Sequence, residues 1–573
     1  HHRTAARPPP GRKNPMVQVS PRRRAALGVT GLTAAIVLAA CGGAPPPTQA
    51  TGSGSASPGA SAPTSGFVVD TPAPTADAGD VVWGTYRETQ TLDPIQAFDY
   101  PENTVDPLLC DSLLRQKPDM TIGDGLAKVT TTSPTQFDFE INAAAKFWDG
   151  TPVTAEDAVF SLKRAADPKG GGFYAKVFER VESMETTGDK TFTIKLKQPD
   201  FWLLGELSAT PGEVVQKKFV EAKGKDFGSV SAGTMCSGPF KLDSWKTGQG
   251  VKMVPNPDYW DSSLPKPKLK SLTVIGVPDD ATFTAGLKTG SIDGGYVISL
   301  STLGQLQTDP NVKVYQGAPY PTSALVVSAT KGPLADPKVR QAISYALDRE
   351  GVINSVWKGA ANIPRALAAS GTWGYAQDTF KAGYDALPPM TRDVAKGQAL
   401  AKEAGAVGQT ITLGASSGIP ALNTSALAVK AAAEAVGLKV KINNVSPSNY
   451  INFFIDPKAW GSVDGFVTTN YGDYGDPAAL YNTLAMPGGS QNFSGWENAE
   501  VTKAFEAARG EADPVKRAEY VVAGQKIITD QLVWIPLVEP NNVVIMHKSV
   551  TGAPATFSYM FSPWAVYLGG TGQ

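Results

Sequence analysis

Imidazoles and thiols, the side chains that most often carry catalysis or bind transition metals, are scarce in this 573-residue chain, which has three histidines and three cysteines. His1 and His2 stand at its start, and only His547 lies elsewhere, between Met546 and Lys548. A Ser/His/Asp triad would have to use His547, and a zinc or nickel site needs several imidazoles or thiolates. There is no Walker-type phosphate loop and no G-x-G-x-x-G opening a helix after a strand. Carboxylates are plentiful, 53 against 52 Lys and Arg, so carboxylate-only hydrolysis stays open, while the balance of charge gives no argument for nucleic acid. The inventory favours binding over catalysis, with no metal and no cofactor.

The third cysteine belongs to a different kind of chemistry. Arg22, Arg23 and Arg24 precede a run of apolar and small residues from Ala25 to Ala40 that is short for a permanent membrane helix and reads as a secretory signal. It ends in Leu38-Ala39-Ala40-Cys41-Gly42, which resembles bacterial lipoprotein precursors. That resemblance implies lipidation of Cys41 and cleavage before it, so 1–40 is assigned as signal, with a possible upstream extension before Met16. Residues 41–80 are rich in Ala, Pro, Ser, Thr and Gly with almost no large apolar side chain, and are expected to form a disordered tether. Export places Cys110 and Cys236 where disulfides persist, and they are expected to pair.

Residues 81–573 are too many for one core, and their periodicities indicate mixed α/β structure. Phe137, Phe139 and Ile141 alternate with polar residues, as do Phe192, Ile194 and Leu196, which marks two half-buried strands. Between them Thr154-Ala155-Glu156-Asp157 is a capping box opening a helix. Asp336-Pro337 precedes a stripe of Val339, Ala342, Ile343, Ala346 and Leu347, and a second helix runs from Asp348 to Gly359. Ile411–Leu413, Asn423–Val436 and Leu438–Ile442 form a strand-helix-strand unit, which folds right-handed onto a parallel sheet.

Seven segments in order then resemble the peptide-binding family of extracytoplasmic solute receptors for ABC importers, whose members include oligopeptide, dipeptide and nickel receptors. They are Thr91-Leu92-Asp93-Pro94, Phe147 to Asp157 (FWDGTPVTAED), Ser237 to Leu242 (SGPFKL), Asn256 to Trp260 (NPDYW), Gly290-Ser291-Ile292-Asp293, Val339 to Arg349 (VRQAISYALDR) and Gly472 to Pro477 (GDYGDP). The resemblance implies a two-lobed fold of the type II periplasmic-binding-protein class that closes like a jaw over its ligand. Lobe one comprises 81–121, 234–325 and 541–573, with a subdomain inserted at 122–233, and lobe two comprises 326–540. Cys110 and Cys236 then fall where the chain leaves and re-enters that insertion.

The resemblance also implies a site. The ligand adds as a strand between Gln96-Ala97-Phe98 of lobe one and Thr469-Asn470-Tyr471 of lobe two. Asp473 takes the position of the carboxylate that pairs with a peptide's α-ammonium. Tyr174, Tyr296 and Tyr320 fall near positions that line the cleft. Dipeptide-specific relatives carry an arginine pair in the stretch matching Ile419 to Lys430, and this sequence has none there. That favours longer peptides, whose carboxylate position varies, or a ligand without a carboxylate; a sugar, an opine, haem or a metal chelate are the non-peptide alternatives for the same architecture. The expected partners are a peptide, the membrane permease of an importer and, through Cys41, the outer face of the cytoplasmic membrane, with the protein monomeric. A secreted carboxylate hydrolase and a structural lipoprotein of the envelope are the readings from other classes.

Overall fold

The computed structural model describes residues 67–296 and 300–572. The signal, Cys41 and most of the expected tether lie outside them. Among the described residues, no helix is long and apolar enough to cross a membrane.

A 12-stranded sheet is the spine of the body. One arm holds Asp80–Thr85, flanked in parallel by Ser271–Gly276 and Gly294–Tyr296, with the antiparallel Gly250–Pro255 and Phe240–Lys246 beyond. The other arm holds the strand-helix-strand unit expected from the sequence. Thr410–Ser416 and Lys439–Val445 pair in parallel, with Pro420–Ala435 as the connecting helix, and Gly465–Asn470 lies on the far side of Thr410–Ser416.

The long strand Ile535–His547 joins the arms. Its first residues pair with Thr322–Val327 of lobe two, and residues 541–547 pair with Val312–Pro319 of lobe one. The chain therefore crosses between lobes twice, at Tyr320–Pro321 and around Pro540. The second crossing lies between Val538, which pairs with Ser323, and Asn541, which pairs with Pro319. The first comes earlier than the expected 325, because Thr322–Val327 is already hydrogen-bonded along its whole length to Gly465–Asn470.

The insertion is a four-stranded antiparallel sheet, in the order Ala127–Ser133, Gln136–Ile141, Thr191–Leu196, Val181–Thr186. Its two central strands are those read from alternation, and Phe139 stacks on Phe192 with ring centroids 4.9 Å apart. The helix Ala155–Ala166 covers one face of this sheet. Its capping box is complete, the Asp157 amide donating to the Thr154 hydroxyl while the Asp157 carboxylate accepts from the Thr154 amide. Cys110 and Cys236 form a disulfide with Cα atoms 4.9 Å apart, tying together the two chain segments that flank the insertion.

One expectation is corrected. The tether was placed through residue 80, but residues 67–79 are built into lobe one. Val68 donates its amide to Gln316 O, the Thr71 hydroxyl donates to Ala553 O, and Thr75 and Ala76 donate to Gly570 O. A segment poor in apolar side chains is held here by hydrogen bonds to carbonyls of the strand Val312–Pro319 and of the C-terminal segment, an interaction that composition does not report.

Candidate functional site

The cleft between the lobes is assembled from short turns whose conformation is set locally. Asp93 caps the turn Pro94–Gln96, accepting from the Ile95 amide, and is itself held by Arg164 at 2.8 Å. This fixes the direction of Gln96-Ala97-Phe98, of which Gln96 is exposed, Ala97 buried and Phe98 half-buried against Phe173, with ring centroids 4.2 Å apart. Across the cleft Thr469 and Asn470 end the strand Gly465–Asn470, opposite Ser323 and Thr322. Asn470 donates to Gln491 at 2.5 Å.

Tyrosines hold these segments: Tyr174 of the insertion fastens the first, and Tyr471 joins the second to it. The Tyr174 hydroxyl donates to Ala97 O, and the Tyr471 hydroxyl donates to Phe98 O at 3.1 Å. The Tyr471 ring meets Tyr100 edge-on at 4.9 Å and Phe557 at 5.0 Å. Tyr320 stands at the first lobe crossing, stacked on Phe557 at 4.6 Å and only 2% exposed.

Tyr296 does not belong here. Expected near the cleft, it is stacked face to face on Tyr559 at 3.7 Å, touches Trp83 and Trp564, and donates its hydroxyl to Pro554 O at 2.7 Å. It is a core residue of lobe one, placed by its strand's pairing with Ile535–His547.

Asp473 lies in the turn that leads to the helix Pro477–Ala485, which Asp476 caps through the Ala478 amide. Its carbonyl accepts from Gln116 Nε2 at 2.6 Å, a bond from lobe one into lobe two. Burial among the walls of the cleft pushes the Asp473 carboxyl up to about 6. The same field acts on the surrounding phenols, since the charge of Asp473 raises Tyr174, Tyr320 and Tyr471 further above the level that burial alone sets.

Sequence reasoning missed Gln116 and Glu206. Glu206 ends the short helix Trp202–Glu206 of the insertion, and burial and the charge of Asp473 push its carboxyl well above the ordinary range. The signal was a lone acid closing the apolar run Trp202-Leu203-Leu204-Gly205, a pattern that reads equally well as an exposed helix end.

The jaw is shut in this structure. Arg509 of lobe two binds Asp200 and Glu179 of the insertion, each at 2.7 Å, Arg180 pairs with Glu506, and the Phe201 amide donates to Arg509 O at 2.8 Å. The tip of the hairpin formed by Leu114–Gln116 and Ile122–Asp124 lies on lobe two so closely that a Cβ at Gly374 would stand 2.6 Å from Met120 O. A cavity of about 50 Å³ remains between the lobes, lined by Tyr100, Gly295, Pro321, Trp357 and Thr469 among others. Separating the lobes is therefore what makes room for a small molecule, whose pockets run to hundreds of Å³. Among the described residues, no group of three or more His, Cys, Asp or Glu is placed to hold a metal ion.

Similarity to known proteins agrees with this architecture. The probable D,D-dipeptide-binding periplasmic protein DdpA of Escherichia coli (strain K12) is 26% identical over 498 residues, covering 84% of this chain and 92% of the relative. Among solved structures, DppA of Helicobacter pylori in complex with the peptide STSA superposes with a TM-score of 0.74 at 22% identity, covering 86% of this chain and 98% of the other. AgaA of A. tumefaciens R10 in complex with agropinic acid gives 0.75 at 22%, covering 85% and 98%. At such identities the structural likeness establishes the fold, that of the type II periplasmic binding proteins. The family model for bacterial extracellular solute-binding proteins, family 5 (middle), matches residues 121–492, and the chain belongs to that family, the substrate-binding proteins of ABC importers of the peptide/nickel type.

Proposed function

We propose that this receptor takes peptides, oligopeptides in particular, and that Asp473 holds the ligand's α-ammonium. The observation that carries the reading is the position of Asp473, a carboxyl at the lobe interface that no cationic side chain among the described residues pairs with, beside the two segments 96–98 and 469–471. A cation from outside the chain returns the ionisation that burial opposes and fixes the register of an added strand. Main-chain groups of the two segments then supply affinity without selecting side chains. Tyr174 and Tyr471, which cap Ala97 O and Phe98 O in the shut jaw, give way to ligand amides on binding. Tyr320 contacts the ligand through its ring edge and hydroxyl.

The lack of an arginine pair between Ile419 and Lys430 supports peptides longer than two residues. Names of related proteins fit the same class, a D,D-dipeptide for one and the peptide STSA for another. The protein works as a monomer, anchored by lipid on Cys41 at the outer face of the cytoplasmic membrane, and passes its ligand to a permease. Calorimetric titration with a pool of tri- to pentapeptides, against the same pool N-acetylated, tests the reading: binding is lost on acetylation, and equal binding removes the role given to Asp473.

One observation favours a second reading. AgaA, of the same fold, is solved with agropinic acid, an opine. Mass spectrometry of small molecules released from the purified, denatured protein separates the two.

A further inference from the structure

Glu206 and Asp473 reach the same part of the cleft from opposite lobes. Glu206 is carried by a turn pressed directly on the Gly472–Asp476 loop, since a Cβ at Gly205 would stand 2.4 Å from the Tyr474 ring. Neither carboxylate has a cationic partner within ion-pair distance among the described residues. The cations of the neighbourhood are committed elsewhere, Arg509 to Asp200 and Glu179, Arg180 to Glu506, and Lys176 to Gly488 O. Arg517 lies over the rings of Tyr375 and Phe201.

Two further groups point to a ligand. Gln116 is fully buried and gives Nε2 to Asp473 O, which leaves its Oε1 beside Asp473 with no partner. Tyr320, 2% exposed, also has an unpartnered hydroxyl, and it lies within the field of both Asp473 and Glu206. A buried polar atom left unpaired costs about 1–3 kcal/mol, so such atoms converging on one place mark where an outside donor is taken up.

Two carboxylates and an amide oxygen accept hydrogen bonds and donate none. The complement is a group with many donors and more than one positive charge. We propose that Glu206 is a specificity-determining residue of this subsite, and that the cleft prefers peptides whose first residue carries a side-chain ammonium or guanidinium as well as the α-ammonium. The inference rests on the reading of Asp473 given above. In it Asp473 and Gln116 Oε1 take the α-ammonium, and Glu206 takes the side-chain cation. Burial and the nearby charge of Asp473 push the Glu206 carboxyl above its ordinary range, so pairing with the second cation favours its ionised form and is linked to proton release.

Calorimetry at pH 7 with the free tripeptides Lys-Ala-Ala, Arg-Ala-Ala and norleucine-Ala-Ala, and with N-acetyl-Lys-Ala-Ala, tests it. The Lys- and Arg-first peptides bind at least tenfold tighter than the norleucine-first peptide. Glu206→Gln removes that preference, so the three free peptides bind the variant alike. Repeating the Lys-Ala-Ala titration in buffers of different ionisation enthalpy shows more proton release by the wild type than by the variant. If the norleucine-first peptide binds, acetylation abolishes binding, and yet no preference appears or the preference survives Glu206→Gln, the role of Glu206 is overturned while that of Asp473 stands. If acetylated and free peptides bind alike, both fall. Competition by millimolar Ca²⁺ for the Lys-first peptide also overturns the inference, since it assigns the two acids to a metal.

Discussion

Replacing Asp473 by Asn should make the protein more stable and less able to bind, and the size of both effects follows from its carboxyl, which is raised from 3.8 to about 6. An acid harder to ionise in the folded than in the unfolded chain destabilises the fold once pH exceeds the unfolded value. The loss begins near pH 4, grows until about pH 6 and is constant above. A shift of roughly two units corresponds to about 3 kcal/mol, and because the side chain is half-buried, with solvent at its edge, about 1–3 kcal/mol is expected. Asn keeps the shape without the charge. At pH 7 the variant should therefore unfold about 1–3 °C higher than the wild type, and at pH 4 or below the difference should vanish.

Binding runs the other way. A free-amine peptide needs Asp473 ionised, so wild-type affinity should be constant above pH 6 and fall about tenfold per unit as pH drops below it, while the variant binds at least a hundredfold more weakly at pH 7. Thermal unfolding of both proteins at pH 4 and 7, with titration calorimetry between pH 5 and 8, measures all of this. An Asn variant no more stable at pH 7 than the wild type, or one that binds the free-amine pool as well, refutes the assignment of an unpaired, buried acid.

Other perturbations separate closure, staple and hinge. Arg509→Met leaves Asp200, 1% exposed, unpaired in the shut jaw at a cost of about 3–5 kcal/mol that opening relieves. Ligand affinity should drop at least tenfold, with a larger radius of gyration by X-ray scattering. Replacing Cys110 and Cys236 by Ser releases a loop of 126 residues, and denaturant unfolding should show about 3–5 kcal/mol less stability with ligand affinity unchanged. Glu539 stands beside the second lobe crossing, accepts from the Ser370 amide at 2.9 Å and is pushed up to about 7 by burial. Its folded value lies above the unfolded one, so the wild type should lose about 3 kcal/mol between pH 4.5 and 7, and Glu539→Gln should abolish that slope in denaturant titrations.

Much of the architecture was legible because its causes are local. The capping box at Thr154, the Asp336-Pro337 helix start, the alternation of Phe137, Phe139 and Ile141, and the strand-helix-strand unit each follow from neighbours in sequence, and each stands in the structure as an element of the expected type. The ordered motifs carried the two-lobed fold and the family with them. The site was legible only in part. Tyr174 and Tyr471 bond to Ala97 and Phe98, and Asp473 acts on Tyr174, Tyr320 and Tyr471, whereas Tyr296 turned inward because its strand lies between Asp80–Thr85 and Ile535–His547 with the ring facing Tyr559.

Composition and periodicity determine what a segment tends to form, since they act within a few residues. They say nothing of what a segment meets after the chain has crossed twice between lobes. Residues 67–79 look like tether and are held by a partner almost five hundred positions away, Thr71 bonding to Ala553. Glu206 and Asp473 are ordinary acids in sequence. Only the packing of Gly205 on Tyr474 makes them two charges in one low-dielectric cleft, where each changes what the other can bind.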